Sequence, residues 1–151
     1  MTIIGSTLHL TVDGADRASA WYRDALGAEE RSRIVVPGGK LIHVELAFGP
    51  LTVMLADEFP EMQSFGPTRL GGTAGAIYLH VDDVDAVWER ALRAGATVAR
   101  PLADVFWGER DGQIIDPFGH RWGLTQHLYD VTIDELQTRT TEAFSGPGLH
   151  S

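Results

Sequence analysis

The sequence predicts an α+β fold of paired βαβββ modules, whose curved mixed sheet carries its helices on the convex face. Three observations support this prediction: an internal repeat, strand segments that alternate between apolar and polar residues, and a composition that suits one compact chain. The chain has 151 residues, 44% of them hydrophobic and 22% charged, with a formal net charge of -9 and no cysteine. These values are typical of a globular protein with a sizeable core.

The charge and the missing cysteine exclude several classes of function. A strongly negative protein repels the phosphates of nucleic acids and of anionic membranes, so we expect neither as a partner. Without cysteine there are no disulfides, no thiolate metal sites and no thiol nucleophile. The sequence contains no basic leader with an apolar stretch and no run of 18 apolar residues, so we expect a cytoplasmic protein. The expected partners are a small organic molecule and a second copy of the chain.

The repeat relates residues 8–28, LHLTVDGADRASAWYRDALGA, to residues 78–96, YLHVDDVDAVWERALRAGA. Each copy has an alternating strand, Val-Asp-x-x-Asp and an amphipathic helix. We expect the Asp at the end of each strand to cap the helix, and Gly27 and Gly95 to end the helices in left-handed conformation. Extended segments follow each helix, with turns at 37–40, 48–50 and 116–119. Each half therefore predicts a strand, a helix and about three more strands.

The repeat also sets the predicted domain boundaries. They are a first module at 1–56, a linker at 57–72, a second module at 73–129, and a C-terminal helix with a flexible tail at 130–151. The linker is rich in Pro and Gly, and it is either a flap over the sheet or a packed crossover. Its large apolar residues are Phe59, Met62 and Phe65. Thr132 and Glu135 have capping-box spacing and predict a helix to about Phe144, followed by a frayed tail.

Alternation divides each predicted strand into an apolar face and a more polar face, because successive side chains point in opposite directions. The apolar faces, which we expect beneath the helices, include Leu8, Leu10, Val12, Ile42, Val44, Leu46, Phe48, Ile77, Leu79, Trp122 and Leu124. The opposite faces include Thr7, His9, Thr11, His43, Glu45, Tyr78, His80, Arg121 and Thr125. A duplicated sheet of this kind can curl into a trough that holds a ligand.

Five segments carry a resemblance to a known family. They are WYRDALGAEE (21–30), HVEL (43–46), VDDVDAVWERALRAGA (81–96), FWGERDG (106–112) and DPFGHRWGLTQH (116–127). They resemble the vicinal oxygen chelate superfamily of glyoxalase and bleomycin-resistance-like proteins, and within it the PhnB-like branch. The resemblance spans roughly residues 3 to 129. It implies the paired βαβββ fold, but that superfamily includes isomerases, lyases, dioxygenases, thiol transferases and drug-binding proteins, so the function has to be argued from the site.

The metal ligands of metal-using relatives are the first feature to compare. The resemblance places their four positions on Thr7, Glu45, Ala76 and Gly123. Only Glu45 is a usual ligand, because alanine and glycine offer no side-chain donor. We therefore expect no inherited metal site and no cofactor. The alternative is a relocated divalent metal, for which the candidate ligands are His9, His43, Glu45 and His80.

Two functions are consistent with these residues. The first is a small-molecule-binding protein of the glyoxalase/bleomycin-resistance type, which holds a drug or metabolite in the concave trough. Its expected ligand-binding residues are His9, His43, Glu45, Met54, Tyr78, His80, Phe106, Trp107 and Arg110. The alternative is an enzyme of the glyoxalase, lyase, isomerase or dioxygenase kind, with a relocated metal or with Glu45, His9 and His43 as catalytic acid and base.

Charge and symmetry add two expectations. The negative net charge and Glu45 favour a cationic or neutral ligand, although Arg110 and Arg121 weaken that argument. The resemblance implies a homodimer, since relatives close the open trough and its sheet edges by pairing modules, often between two chains. Each pocket would then combine residues of both chains.

Overall fold

The computed structural model describes residues 1–146 as two four-stranded sheets, each packed against one main helix. The first module contains β1 (Leu8–Val12), α1 (Ala15–Leu26), β2 (Glu29–Val35), β3 (Leu41–Phe48) and β4 (Leu51–Asp57). A short 3-10 turn (Pro60–Met62) and α2 (Pro67–Leu70) connect it to the second module. That module contains β5 (Ala76–His80), α3 (Val84–Arg93), β6 (Thr97–Val105), β7 (Glu109–Ile115) and β8 (Arg121–His127), and α4 (Ile133–Phe144) follows.

Both sheets have the same topology. Their strand orders are β1-β4-β3-β2 and β5-β8-β7-β6. The first strand of each module runs parallel to the last one, and the other neighbours are antiparallel. The predicted α+β fold of paired βαβββ modules is thus confirmed.

The core extends without a break from one module into the other. Beneath the helices it contains the buried residues Val12, Val44, Leu46, Val53, Leu55, Ile114, Trp122 and Leu124. Tyr22 of α1, which the strand pattern does not single out, is fully buried. Its ring lies 5.7 Å from that of Phe48 and 5.3 Å from that of Trp122, measured between centroids. Aromatic packing therefore joins the two halves of the chain.

The start of β3 differs from its predicted alternation. Ile42, expected beneath a helix, is exposed, whereas Leu41 is buried with 3% of its surface accessible. The pairing of β2 with β3 shifts register between Ile34 and Val35. Such an irregularity changes the face to which the next side chains point, so the period of two fails at this end of the strand.

The start of α1 is capped differently from the expectation. Gly14, and not Asp13, occupies the N-cap of α1. Asp57, at the end of β4, accepts hydrogen bonds from the backbone N–H groups of Ala15 and Leu41, both at 2.7 Å. One carboxylate from the last strand of the module therefore satisfies a free donor at the start of its helix.

The second module repeats this arrangement with different side chains. Asp83 is the N-cap of α3, and its carboxylate accepts the N–H of Ala86 at 3.1 Å. The side-chain oxygen of Gln126 in β8 accepts the N–H of Val84 at 2.9 Å. Gln126 follows the residue paired with His80, so it stands where Asp57 stands in the first module.

The linker is packed over part of its length, whereas α4 has no buried residue. Phe59 is buried, with the ammonium of Lys40 lying 5.0 Å from its ring centroid, while Met62 is exposed. These contacts favour the packed crossover. The capping box of Thr132 and Glu135 is present, and α4 ends at Phe144 as predicted. The expected tail extends into residues 147–151, which lie outside the described residues. Within residues 1–146 no helix is long and apolar enough to cross a membrane.

Candidate functional site

The two modules are joined by hydrogen bonds around the turn between β7 and β8. The hydroxyl of Tyr22 donates to the carboxylate of Asp116 at 2.5 Å, and the indole N–H of Trp122 donates to the same oxygen at 2.8 Å. The other oxygen of Asp116 accepts two backbone N–H groups of its own turn. Nε2 of His120 lies 2.9 Å from the carbonyl oxygen of Thr11 in β1. The turn predicted at 116–119 therefore anchors the second module to the first.

Two cavities lie along the seam where the modules meet. The larger cavity has a volume of about 500 Å³ and lies between β1, the start of β5 and the linker. Its polar side chains are His9, Thr11, Thr73, His120 and Arg121. The smaller cavity, of about 290 Å³, lies between the end of β5 and the turn that connects β3 to β4, and it includes Tyr78 and His80. Three of the nine predicted ligand-binding residues, His9, Tyr78 and His80, therefore line a cavity.

A polar network covers the face of the second sheet that points away from α3. The carboxylate of Asp111, which is buried, accepts a hydrogen bond from Arg100 at 2.6 Å. The side-chain amide of Gln113 donates to the hydroxyl of Tyr78 at 2.5 Å and accepts from Arg121 at 3.0 Å. Burial opposes the charge on Arg100, but the hydrogen bond that Arg100 donates to Asp111 outweighs it, and the pKa of Arg100 is raised overall. The side chains on this face are thus fixed relative to one another.

Gly123 allows Tyr78 to lie flat on this sheet. A Cβ atom at position 123 would approach the Tyr78 ring to 2.3 Å. Tyr78 is nevertheless 41% exposed, so one side of its ring faces the sheet and part of its surface remains accessible. A glycine inside a strand often marks such a close approach.

Sequence reasoning missed Arg100, Asp111 and Gln113 as members of this face. The alternation within β7 could have found two of them, because Glu109, Asp111 and Gln113 share one face, whereas Gly112 and Ile114 face α3 and the core. Thr125 of β8 extends the same network, since its hydroxyl donates to the carboxylate of Glu109 at 2.8 Å. Alternation would not have identified Arg100, because the pairing of β6 with β7 shifts register on both sides of this residue.

The open face of the first sheet contains the predicted acidic and basic residues, but it does not pair them as expected. His9 in β1 is in register with Met54 in β4, which is in register with Glu45 in β3. Neighbouring strands lie about 4.8 Å apart, so the strand of Met54 separates Glu45 from His9. His43 lies two residues from Glu45 on the same face. Within residues 1–146 no group donates a hydrogen bond to the side-chain carboxylate of Glu45.

Phe106, Trp107 and Arg110 have two different environments. The rings of Phe106 and Trp107 pack edge to face with centroids 4.9 Å apart, and the indole N–H of Trp107 donates to Glu109 at 3.2 Å. Arg110 instead points to the helix side of the sheet, where its guanidinium binds Asp85 at 2.9 Å and Asp104 at 3.1 Å. Arg110 and Tyr78, which are both among the predicted ligand-binding residues, therefore lie on opposite faces of the second sheet. Arg110 points to this side because it is an alternate residue of β7 with Gly112 and Ile114, whose face packs against α3 and the core.

The side chains of this chain do not fit the metal site that the family resemblance implies. Of its four positions, Ala76 offers only a methyl group and Gly123 has no side chain, which leaves Thr7 and Glu45. In the part of the chain that the structure describes, no three His, Asp or Glu side chains converge in a way that could hold a metal ion. The relocated set of His9, His43, Glu45 and His80 does not assemble within one chain either.

Comparisons with known proteins agree with this architecture. The model of the Glyoxalase/Bleomycin resistance protein/Dioxygenase superfamily matches residues 3–124. An uncharacterized protein of Mycobacterium tuberculosis (strain ATCC 25618 / H37Rv) is 47% identical over 141 residues, which cover 91% of this chain and 83% of that protein. Among solved structures, TioX from Micromonospora sp. ML1 is 29% identical, with a TM-score of 0.63 over 82% of this chain and 100% of TioX.

A PhnB protein from Bacillus cereus shares the fold, with a TM-score of 0.63 and 20% identity over 80% of this chain and 98% of that one. This likeness concerns the fold alone. The family match covers both βαβββ modules except for the last residues of β8, in agreement with the motifs at 21–30, 81–96 and 116–127. The chain belongs to the Glyoxalase/Bleomycin resistance protein/Dioxygenase superfamily.

Proposed function

We propose that this protein binds a small organic molecule, a drug or a metabolite, in the trough where its two modules meet. The observation that carries the proposal is the larger cavity of about 500 Å³ between β1 and β5. Small-molecule sites usually enclose about 300 to 1,000 Å³ and combine apolar walls with a few well-placed polar groups. The larger cavity has this character, since Leu10, Phe65 and Ile77 accompany His9 and Arg121.

The polar network of the second sheet supports the same proposal. Tyr78 lines the smaller cavity along the same seam and offers a flat aromatic surface on which a ring of a ligand can pack. Its position is fixed by Gly123 beneath the ring and by the hydrogen bond from Gln113. Groups that are held in place before binding lose little conformational entropy when the ligand arrives. The binding that we propose uses no inherited metal.

We also propose that the protein acts as a homodimer in the cytoplasm. Ile34, Val35 and Ile42 are exposed around the hairpin of β2 and β3, and Ile34 is opposite His43 on the open face of the first sheet. A cluster of exposed apolar side chains of this kind favours a protein partner. A second copy covering this face would bring its own residues close to His43 and Glu45. Sedimentation equilibrium tests this, and Ile34→Glu should shift the mass toward the monomer, whereas Met62→Glu, at another exposed position, should not.

The binding function can be tested with a thermal-shift screen of drugs and metabolites, followed by calorimetry and recovery of the ligand. We expect at least one compound to bind saturably and to be recovered unchanged. Ala76→Trp, which places an indole in the larger cavity, should abolish this binding. The matched control is Ala99→Trp, at an exposed position in β6 outside both cavities. If the screen finds no compound that binds, or if Ala76→Trp binds as well as the wild type, the proposal is contradicted.

A second candidate function is an enzyme that uses His43 and Glu45. The observation in its favour is that the two side chains share one face of β3. No described residue donates a hydrogen bond to the Glu45 carboxylate. Mass spectrometry of the compounds found in the screen tests it, with and without added zinc, nickel, manganese or iron. Turnover that is lost in Glu45→Gln, while binding remains, would favour the enzyme over the binding protein.

A further inference from the structure

We infer that the larger cavity takes an anionic ligand, a carboxylate with a branched or aromatic apolar body. The inference rests on the proposed binding function and specifies the chemical class of its ligand. An anionic ligand differs from the expectation based on net charge. With 21 acidic and 12 basic residues, the chain as a whole would favour a cationic or neutral ligand. The local charge around the cavity has the opposite sign.

The lining of the larger cavity contains cationic and titratable nitrogen groups but no carboxylate. Its described lining residues include Arg121, His9 and His120, and none of them is Asp or Glu. Because charges close to a ligand act through less water than distant surface charges, the lining decides the sign of the local field more than the net charge does. An anion is therefore attracted here despite the acidic surface.

Arg121 is the group best suited to bind the anion. It is partly buried, and its recorded side-chain hydrogen bond goes to the neutral amide oxygen of Gln113 at 3.0 Å. Among residues 1–146 no carboxylate forms an ion pair with it, whereas Arg100 and Arg110 are paired with Asp111 and Asp85. A guanidinium has five N–H donors in a planar fork that matches a carboxylate. Arg121 thus keeps an uncompensated charge and free donors beside the cavity.

His120 adds a second, fixed nitrogen. Its Nε2 lies 2.9 Å from the carbonyl oxygen of Thr11. A carbonyl only accepts hydrogen bonds, so Nε2 carries the proton of this contact. Every enclosed side-chain nitrogen or oxygen among the described residues has a hydrogen-bond partner. Nδ1 of His120 has none, so it is accessible, and the ring lines the larger cavity. With the proton on Nε2, Nδ1 of the neutral ring accepts hydrogen bonds, so it suits a hydroxyl or N–H group of the ligand, while the carboxylate binds Arg121.

The remaining walls are apolar and suit the body of the ligand. Leu8, Leu10, Phe65, Leu70 and Ile77 surround the same space. Burial of a hydrocarbon or aromatic group against them is favourable in proportion to the area removed from water. The combination of one charged end and several apolar walls excludes small inorganic anions as good ligands, because they would leave these walls unfilled.

The test compares three probes of nearly the same shape, namely 4-phenylbutyrate, 4-phenylbutyramide and 4-phenylbutylamine. Their binding to the full chain is measured by calorimetry. We expect the carboxylate to bind roughly tenfold or more tightly than the amide, as a charge-assisted hydrogen bond to arginine allows. Arg121→Gln should remove this difference. Arg93→Gln, which makes the same charge change on the exposed surface of α3, should retain it.

A second variant keeps the test valid if Arg121→Gln does not fold. Ala76 is paired in register with Arg121, so the carboxylate of Ala76→Glu would lie beside the guanidinium and compete with the probe. We expect this variant to lose the preference for 4-phenylbutyrate as well. Equal or tighter binding of the amide or the amine, or an unchanged preference in either variant, overturns the inference but leaves the binding function in place. Binding of none of the three probes at millimolar concentration also overturns it, while the library screen decides the binding function separately.

Discussion

The hydroxyl of Tyr22 in α1 donates a hydrogen bond to the carboxylate of Asp116, which lies 94 positions further along the chain, in the second module. Both residues are buried. Asp116 also holds the turn before β8, so a single carboxylate fixes a hairpin of one module and a helix of the other. Together with the bond between His120 and Thr11 and the shared core, this contact holds the two modules, and the seam with both cavities, in place.

Tyr22→Phe should therefore destabilise the whole chain. It removes the hydroxyl and leaves one oxygen of Asp116 with Trp122 as its side-chain donor. Loss of a buried hydrogen bond to a charged group costs about 1 to 3 kcal/mol. The free energy of unfolding in urea measures this loss. Tyr129→Phe, at an exposed tyrosine, is the control and should change stability little. Equal stability of both variants would mean that the contact does not hold the modules together.

Tyr22 should also make the protein sensitive to alkaline pH. Burial, together with the nearby charge of Asp116, raises the pKa of Tyr22 well above its ordinary value of 10.0. The unfolded chain then loses the phenolic proton at a lower pH than the folded chain. This contribution to stability is complete below about pH 10 and falls as the pH rises toward the folded-state pKa. Urea unfolding of Tyr22→Phe should show a shallower decline above pH 10 than wild type, and parallel curves would refute the assignment.

Asp57 and Asp13 offer a direct comparison of two capping residues. Asp57→Ala removes the acceptor of two backbone N–H groups, those of Ala15 and Leu41. We expect a loss of about 0.5 to 2 kcal/mol, as for other helix caps. Asp13→Ala should cost less, because Asp13 is exposed and makes no side-chain cap to α1. Thermal unfolding of the two variants under the same conditions measures the difference. A larger loss for Asp13→Ala would restore the capping pattern predicted from the sequence.

Gly123→Ala should disturb the site through Tyr78. The added methyl group overlaps the Tyr78 ring, so the ring must move and the hydrogen bond from Gln113 is lost. Overpacking of this kind costs about 1 to 3 kcal/mol. The same substitution in a Tyr78→Ala background should be nearly neutral, because the obstructing ring is gone. A double-mutant cycle in urea measures this coupling, and additive effects would show that the two positions are independent.

The fold was predictable because the sequence contains the same pattern of elements twice. The segment that begins at Leu8 and the one that begins at Tyr78 share the same order of strand, acidic turn, helix and glycine stop, so each supports the interpretation of the other. The hairpin turn at 116–119 and the capping box at Thr132 depend on local chemistry, which a sequence displays directly. Contacts between the modules, such as Tyr22 with Asp116, depend on three-dimensional packing and leave no local pattern.

The candidate site was less predictable for two physical reasons. Register shifts beside Arg100 and Ile34 break the period of two, so alternation does not give the face of the residues around them. The order of the strands in the sheet also decides which polar residues meet, and alternation along one strand does not reveal it. His9 and Glu45 share a parity, yet the strand of Met54 separates them. Arg110 was assigned from its loop motif, although its parity with Ile114 indicates the opposite face.

Asp57 accepts a backbone N–H group at the start of α1, and Gln126 accepts one at the start of α3, so each module supplies the acceptor for its own helix start. In both modules the helix comes early along the chain and this acceptor comes from the last strand. During synthesis, the whole module must therefore be made before the free N–H group at the helix start can form its final hydrogen bond. A copy of such a unit brings its own acceptor with it, so gene duplication can double the module without leaving either helix incomplete.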